Sequence, residues 1–432
     1  MSEKKISILN VLIFALYLFP VVGANFTLFS YFMLYCVPIM YFLVNFKLVR
    51  KLFLNLKVNY CADCAFLGIM LFLSVSAPLA HNTGDFTYIW TVLGIVRKMI
   101  IYLFLTLVTY KTYKKENVLT GFLLTHSLAS ALYVVATMLF VLLSPLKTWW
   151  VGLWQFDHME FLNTYGYTAR FGWSGFSGYR ETITCSISIV FLLYMINEKA
   201  KKNLSVGNLA LFVLMGLNLI GNMFYGRSGV VVFAVVAVVS VFIYRRVRLS
   251  TVFKILLAAI PVIAIVIYII SSNEKMAEWL DWLTTPFINL ITTGKMNNFS
   301  FDHLFNDMIF MPEKKTLWLG DGRYVDPRDN TLYYMGTDSG FMRQILFWGV
   351  MCTVFTYYYS IHSMKTLFNK QKWRFAVMLL AAYAIYEVKG EVYYQIIPLF
   401  TCLSLMTDWE DTTNKEVRQV RLTTSFRNVE RI

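Results

Sequence analysis

Charge is scarce in this chain of 432 residues. Only 15% of them are Asp, Glu, Lys or Arg, against about 25% in ordinary soluble domains, which excludes a soluble globular fold. Histidine is scarcer, with five in all, and none stands among carboxylates or thiols at metal-ligand spacing. The six cysteines form no disulfide framework. Cys61 and Cys64 make a lone C-x-x-C with no second pair and no nearby histidine, which argues against zinc. Cys36, Cys185, Cys352 and Cys402 read as small buried apolar residues. No internal repeat and no low-complexity tract occurs. No cleavable signal stands out either: Lys4 and Lys5 precede an apolar run without a small-residue cleavage site, so the first helix is expected to stay.

What the chain has instead is apolar length. It is 58% hydrophobic with a mean hydropathy of +0.57. Runs of about 17 to 25 apolar residues recur from end to end, each able to span a hydrocarbon core. Lipid offers the backbone no hydrogen-bond partners, so these runs must be helices. The expected fold class is all-α and polytopic, with about twelve transmembrane helices near 6–22, 26–44, 60–79, 88–110, 117–143, 182–196, 209–224, 230–244, 252–270, 341–361, 375–386 and 393–406. Residues 1–407 then form one transmembrane domain, and 408–432 a polar, disordered cytoplasmic tail.

The net charge of +14 raises the possibility of nucleic acid, but its distribution argues otherwise. Most of the basic residues cluster in alternate connections (Lys47 to Lys57, Lys111 to Lys115, Lys199 to Lys202, Arg245 to Lys254, Lys365 to Arg374, Lys415 to Arg431), the positive-inside pattern. Both termini are thereby placed inside. Seven of the basic residues left over are arginines, and four of these, Arg170, Arg180, Arg323 and Arg328, fall in two long segments expected outside, 144–180 and 271–340. Insertion does not require them, so they are the better functional clue.

Several stand out. Arg97 and Lys98 fall near the middle of an apolar run, where a charge costs several kcal/mol unless it snorkels, pairs or faces water. Arg170-Phe-Gly-Trp-Ser-Gly-Phe-Ser-Gly-Tyr-Arg180 sets two arginines around three glycines that allow close backbone approach to a ligand. The tryptophans of this segment, Trp149, Trp150, Trp154 and Trp173, suit an interfacial belt or stacking on sugar faces. Arg227, in Tyr225-Gly-Arg-Ser-Gly229, meets a helix N-terminus, an anion site in miniature. His303, between Asp302 and Asp307, is either a base or a structural histidine. Glu387-Val-Lys389-Gly-Glu391 is a charged hairpin between the last two spans. The densest stretch is Trp318 to Gly349, where Arg323, Arg328 and Arg343 mix with Asp321, Asp326, Asp329 and Asp338 before an aromatic helix. Asp338 and Ser339 are both N-cap candidates for that helix.

Together these residues resemble the O-antigen polymerase (Wzy) family, within the wider group of O-antigen polymerases and ligases. The likeness rests on the Arg170 to Arg180 loop, on Gly226-Arg227-Ser228-Gly229, on Leu319-Gly-Asp-Gly322 followed by Thr337-Asp-Ser-Gly340, and on the Lys389 hairpin. It covers most of the chain as a layout. The resemblance implies a GT-C-like, metal-independent glycosyltransferase of the bacterial inner membrane, working on the periplasmic face in lipopolysaccharide synthesis. A growing glycan would pass from undecaprenyl pyrophosphate to the end sugar of a lipid-linked repeat unit. No cofactor and no nucleic acid is expected, and a chain-length regulator is a possible protein partner. Arginines would stabilise the departing diphosphate: Arg227 and Arg323 foremost, with Arg97, Arg170, Arg180, Arg343 and Lys389 binding substrate. Asp338, standing where related ligases carry a histidine, is either the base or only a helix cap. The spacing of an arginine and a glycine eleven positions on, found in some polymerases, is absent. The competing expectations are an O-antigen ligase and a non-enzymatic flippase of lipid-linked oligosaccharides.

Overall fold

The computed structural model describes residues 7–54, 59–113, 117–156, 170–176, 178–198, 207–244, scattered positions between 281 and 294, 302–370 and 372–429. Helices dominate these residues, in the order α1 (Ile8–Leu18), α2 (Ala24–Val44), α3 (Phe46–Leu54), α4 (Asn59–Ala80), α5 (Tyr88–Tyr113), α6 (Val118–Leu142), α7 (Ser144–Trp154), α8 (Tyr179–Asn197), α9 (Asn208–Tyr225), α10 (Arg227–Tyr244), α11 (Lys314–Leu319), α12 (Gly340–His362), α13 (Lys365–Asn369), α14 (Trp373–Lys389) and α15 (Tyr393–Val429). A two-stranded hairpin, β1 (Phe171–Gly172) and β2 (Gly175–Phe176), precedes α8. Five helices, α2, α5, α6, α8 and α9, are long and apolar enough to cross a membrane. The chain is an all-α membrane protein. The expected span at 252–270 and most of the outer segment 271–340 before residue 302 lie outside the described residues.

Helix α8 is the axis of the bundle, packed by α6, α9, α10 and α14. Its polar residues turn inward rather than toward lipid: Thr182, Ser186 and Ser188 are all buried. Each finds a partner, as buried hydroxyls must. Ser186 Oγ lies 2.6 Å from the Tyr386 hydroxyl, which in turn donates to the Thr182 carbonyl at 3.1 Å. The last long helix, α15, packs along α5.

Three expectations are corrected. Helix α1 stops at Leu18 because Pro20 cannot continue it and disfavours helix before itself. Part of the outer segment 144–180 is ordered as α7 and the β1–β2 hairpin, and two of its tryptophans act as clamps. Trp173 Nε1 donates to the Phe19 carbonyl and Trp150 Nε1 to the Trp173 carbonyl, both at 2.9 Å, while Trp149 stays exposed. The tail expected to be disordered continues α15 to Val429. No glycine or proline follows Pro398, and Glu, Lys, Arg and Gln extend a helix that the membrane has already nucleated.

Helix α12 is broken at Gly349, where φ is 84° and ψ 169°. The break exposes the carbonyls of Leu346 and Phe347, and the loop after α11 takes them: Asp321 N–H donates to Leu346 at 2.7 Å and Gly322 N–H to Phe347 at 3.0 Å. The approach leaves no room for side chains. A Cβ at Gly349 would sit 2.1 Å from the Trp318 carbonyl oxygen, and one at Gly320 2.4 Å from that of Phe347. The two ends of the dense stretch Trp318 to Gly349 therefore close on each other.

Candidate functional site

The site forms where α8, α12, α14 and α15 meet at one end of the bundle. Its base is a buried ion pair. Arg343, in the first turn of α12, reaches Glu391 Oε2 at 3.5 Å, and both side chains are almost fully buried. The guanidinium also lies over two rings, 3.5 Å from the centroid of Tyr333 and 4.4 Å from that of Tyr324. Glu391 accepts from Tyr324 at 2.7 Å and from Tyr88 at 2.6 Å, and Tyr393 donates to the Tyr88 hydroxyl at 2.9 Å. A buried carboxylate requires such company: without it the desolvation cost of its charge would be unopposed.

Two further carboxylates hold the framework. Asp85, in the α4–α5 turn, accepts the amides of Tyr324 and Val325 at 2.7 and 2.9 Å. This fixes the loop that supplies the Tyr324 ring. Glu387, at the end of α14, accepts the amides of Val392 and Tyr393 at 2.9 and 2.7 Å. It thereby caps α15 from the preceding helix. Gly340 faces it so closely that a Cβ would stand 2.3 Å from Glu387 Oε2, so α12 can begin there only with glycine.

Arg180 enters from α8. Its Nε donates to Glu181 Oε1 at 2.7 Å, and Nη2 reaches the same oxygen. The other oxygen of Glu181 accepts the Gly178 amide at 2.9 Å, which closes the first turn of the helix. Glu181 is buried, whereas Arg180 is about one-third exposed. Tyr394 links the two halves, since its hydroxyl lies within electrostatic range of Arg180, Arg343 and Glu391. Lys98 is in range of Arg97, Arg180 and Glu181. Two cations, from α8 and α12, thus meet at one tyrosine, and Lys98 of α5 lies in range of the first of them.

Asp338 stands exposed at the rim, in range of Lys389 and His303. The protein around it pushes its carboxyl above the usual aspartate range, and those two cations pull it back. It also interacts electrostatically with Tyr179 and Tyr333, which both see Tyr394. The cap position of α12 is Ser339, with no side-chain cap bond, so the reading of Asp338 as the cap is corrected.

The other sequence-derived candidates divide. Arg97 is exposed and donates from Nη2 to the Trp90 carbonyl of its own helix at 3.2 Å; its neighbour Lys98 is the one that lines an internal hollow. Lys389 is exposed at the end of α14. Arg323 is half-buried, in electrostatic range of Tyr334. Arg170 is half-buried just before β1. Arg227 opens α10, but its side chain lies outside the described residues. Its turn packs on the start of α8: a Cβ at Gly226 would lie 3.1 Å from Thr182 Oγ1. His303 Nδ1 pairs with Asp307 Oδ2 at 2.6 Å.

Sequence reasoning missed Glu391 and Glu181 as organising groups, and the tyrosines 88, 324 and 394. Glu391 carried a signal, being a carboxylate beside an apolar span. The tyrosines carried none, since among 27 tyrosines an inward hydroxyl looks like an interfacial ring.

No protein-family model, curated protein or solved structure matches the chain.

Proposed function

We propose that the protein is a membrane glycosyltransferase of the O-antigen polymerase type, with a GT-C-like arrangement of about twelve spans in the bacterial inner membrane. The carrying observation is that Arg180 and Arg343 both lie in range of Tyr394, with Lys98 in range of Arg180 and with Asp338 and Lys389 at the open rim. Cations at such a rim suit the diphosphate of a polyprenyl-linked oligosaccharide.

The chemistry follows from that placement. The bond between the sugar C1 and the diphosphate oxygen breaks, and its electron pair stays with the diphosphate. Arg180 and its neighbours offset the charge that develops there, in a site poorer in water than the bulk. The acceptor sugar's hydroxyl oxygen forms the new bond to C1 and gives its proton to Asp338. A carboxylate whose affinity for a proton is raised is the better base for that transfer. Arg343 is already paired with Glu391 and held between rings, so its task is to shape the site, and Arg180 is the more available cation.

The test is polymerisation by purified protein supplied only with lipid-linked repeat units, read as a glycan ladder on a gel. Arg180→Ala should lower the rate by about 100-fold or more, the scale of losing one group that stabilises developing negative charge. Absence of a ladder from the wild-type protein under conditions where the lipid substrate binds would sink the reading.

A further inference from the structure

Below Arg180 a small hollow lies inside the bundle, walled by Tyr17, Lys98, Tyr102, His126, Thr184 and Gln395, and elsewhere by isoleucines and leucines. Thr184 is one turn along α8 from Arg180 and donates to its carbonyl at 3.0 Å. Two features of the wall are unresolved by the protein itself. Lys98 makes no ion pair among the described residues. His126, 1% exposed, has Nδ1 at 3.0 Å from Ser188 Oγ, but its Nε2 is buried without a partner. In the tautomer in which Nδ1 accepts from Ser188, Nε2 carries a proton to donate.

The charges do not balance. Arg97, Lys98 and Arg180 interact electrostatically, and Glu181 is the carboxylate in their range. That carboxylate is already bound to Arg180 and to the Gly178 amide. A lysine left unpaired within a membrane bundle costs several kcal/mol. A water molecule would satisfy the donors of Lys98 and His126 but not the charge. The free space is on the scale of a single water, which excludes phosphate and admits a monatomic ion.

We infer that the hollow is a binding site for one small monovalent anion of the halide class, held by Lys98 Nζ and His126 Nε2. It is a site apart from the one proposed for glycan transfer, and it does not depend on that reading. Its occupant supplies the countercharge to Lys98 and fixes α5 and α6 against α8.

The test uses the full chain in lipid nanodiscs without any glycolipid. Equilibrium dialysis against bromide, counted by elemental mass spectrometry, should show a single saturable bromide per chain. Lys98→Met should abolish it and His126→Leu should weaken it by more than tenfold, while Arg328→Ala, on an exposed loop outside the hollow, should retain it. In thermal unfolding, bromide should raise the midpoint of the wild type over gluconate at equal ionic strength, and Lys98→Met should show no difference. The inference is overturned by absence of saturable uptake, by equal uptake in Lys98→Met, or by displacement of bromide with equimolar inorganic phosphate. The last outcome would make the hollow part of a phosphate site. Because no glycolipid is present, loss of the transfer reading would leave these results untouched.

Discussion

Asp321 donates its amide to the Leu346 carbonyl at 2.7 Å, and through this bond a loop completes a helix that has broken. A free carbonyl at that depth would cost about 1–3 kcal/mol, so the loop and the break stabilise each other. Gly349→Ala should therefore act far beyond its one methyl group. Forcing a side chain to φ of 84° costs on the order of 1–3 kcal/mol before any clash, and the Trp318 carbonyl blocks the Cβ. Thermal unfolding followed by tryptophan fluorescence should show a large fall in midpoint. An unchanged midpoint would mean that the loop does not clasp the helix.

The Arg343–Glu391 pair makes a second prediction. Removing one partner leaves the other charge buried alone, at about 3–5 kcal/mol. Glu391→Ala and Arg343→Met should each destabilise by that order, and the double variant by clearly less than their sum. A double-mutant cycle on unfolding free energies checks it. Strict additivity would show that the two groups do not sense each other.

Asp338→Asn should reduce glycan transfer by about 100- to 10,000-fold with little change in substrate binding. The pH dependence has a fixed sign. A base works only when deprotonated, so the rate should rise with pH through the carboxyl's titration. Because that carboxyl is held above 3.8, the rising limb should lie above the ordinary aspartate range. Lys389→Met removes a cation that opposes the shift, so it should move the limb further up. A limb unmoved in Lys389→Met would separate Asp338 from the chemistry.

At the opposite end of the bundle, Glu410 ties three elements together. It accepts the Leu119 amide at 3.0 Å, which caps α6, and pairs with Lys372 at 3.1 Å. Glu410→Ala should cost about 1–2 kcal/mol, mainly from the lost cap. Asp411→Ala, which breaks a half-exposed pair with Lys370, should cost about 0–1 kcal/mol. Chemical unfolding of both variants would rank them, and the opposite order would contradict the cap.

The sequence was informative where one physical demand dominates. Long apolar runs marked spans because lipid permits little else, and α5, α6, α8 and α9 appear within a few residues of expectation. Outer arginines were conspicuous because insertion does not need them, and Arg180 and Arg343 do meet around Tyr394. What could not be read was orientation about the helix axis. Arg97 and Lys98 are adjacent, equally costly in lipid and indistinguishable by composition. Only the packing of α5 against α15 turns Lys98 toward the hollow and leaves Arg97 outside. The break at Gly349 was hidden for a related reason: a glycine in an apolar run reads as tolerated until the loop that catches its carbonyls is placed beside it.

The back-to-back glycines carry an implication for descent. A Cβ on Gly320 would strike the Phe347–Trp348 backbone just before Gly349, and one on Gly349 the Trp318–Leu319 backbone just before Gly320, so both positions answer to the same close approach of two segments. Chains that share this fold should keep both glycines or lose both, and a lineage that lost them would have to run α12 unbroken and rebuild the loop before it.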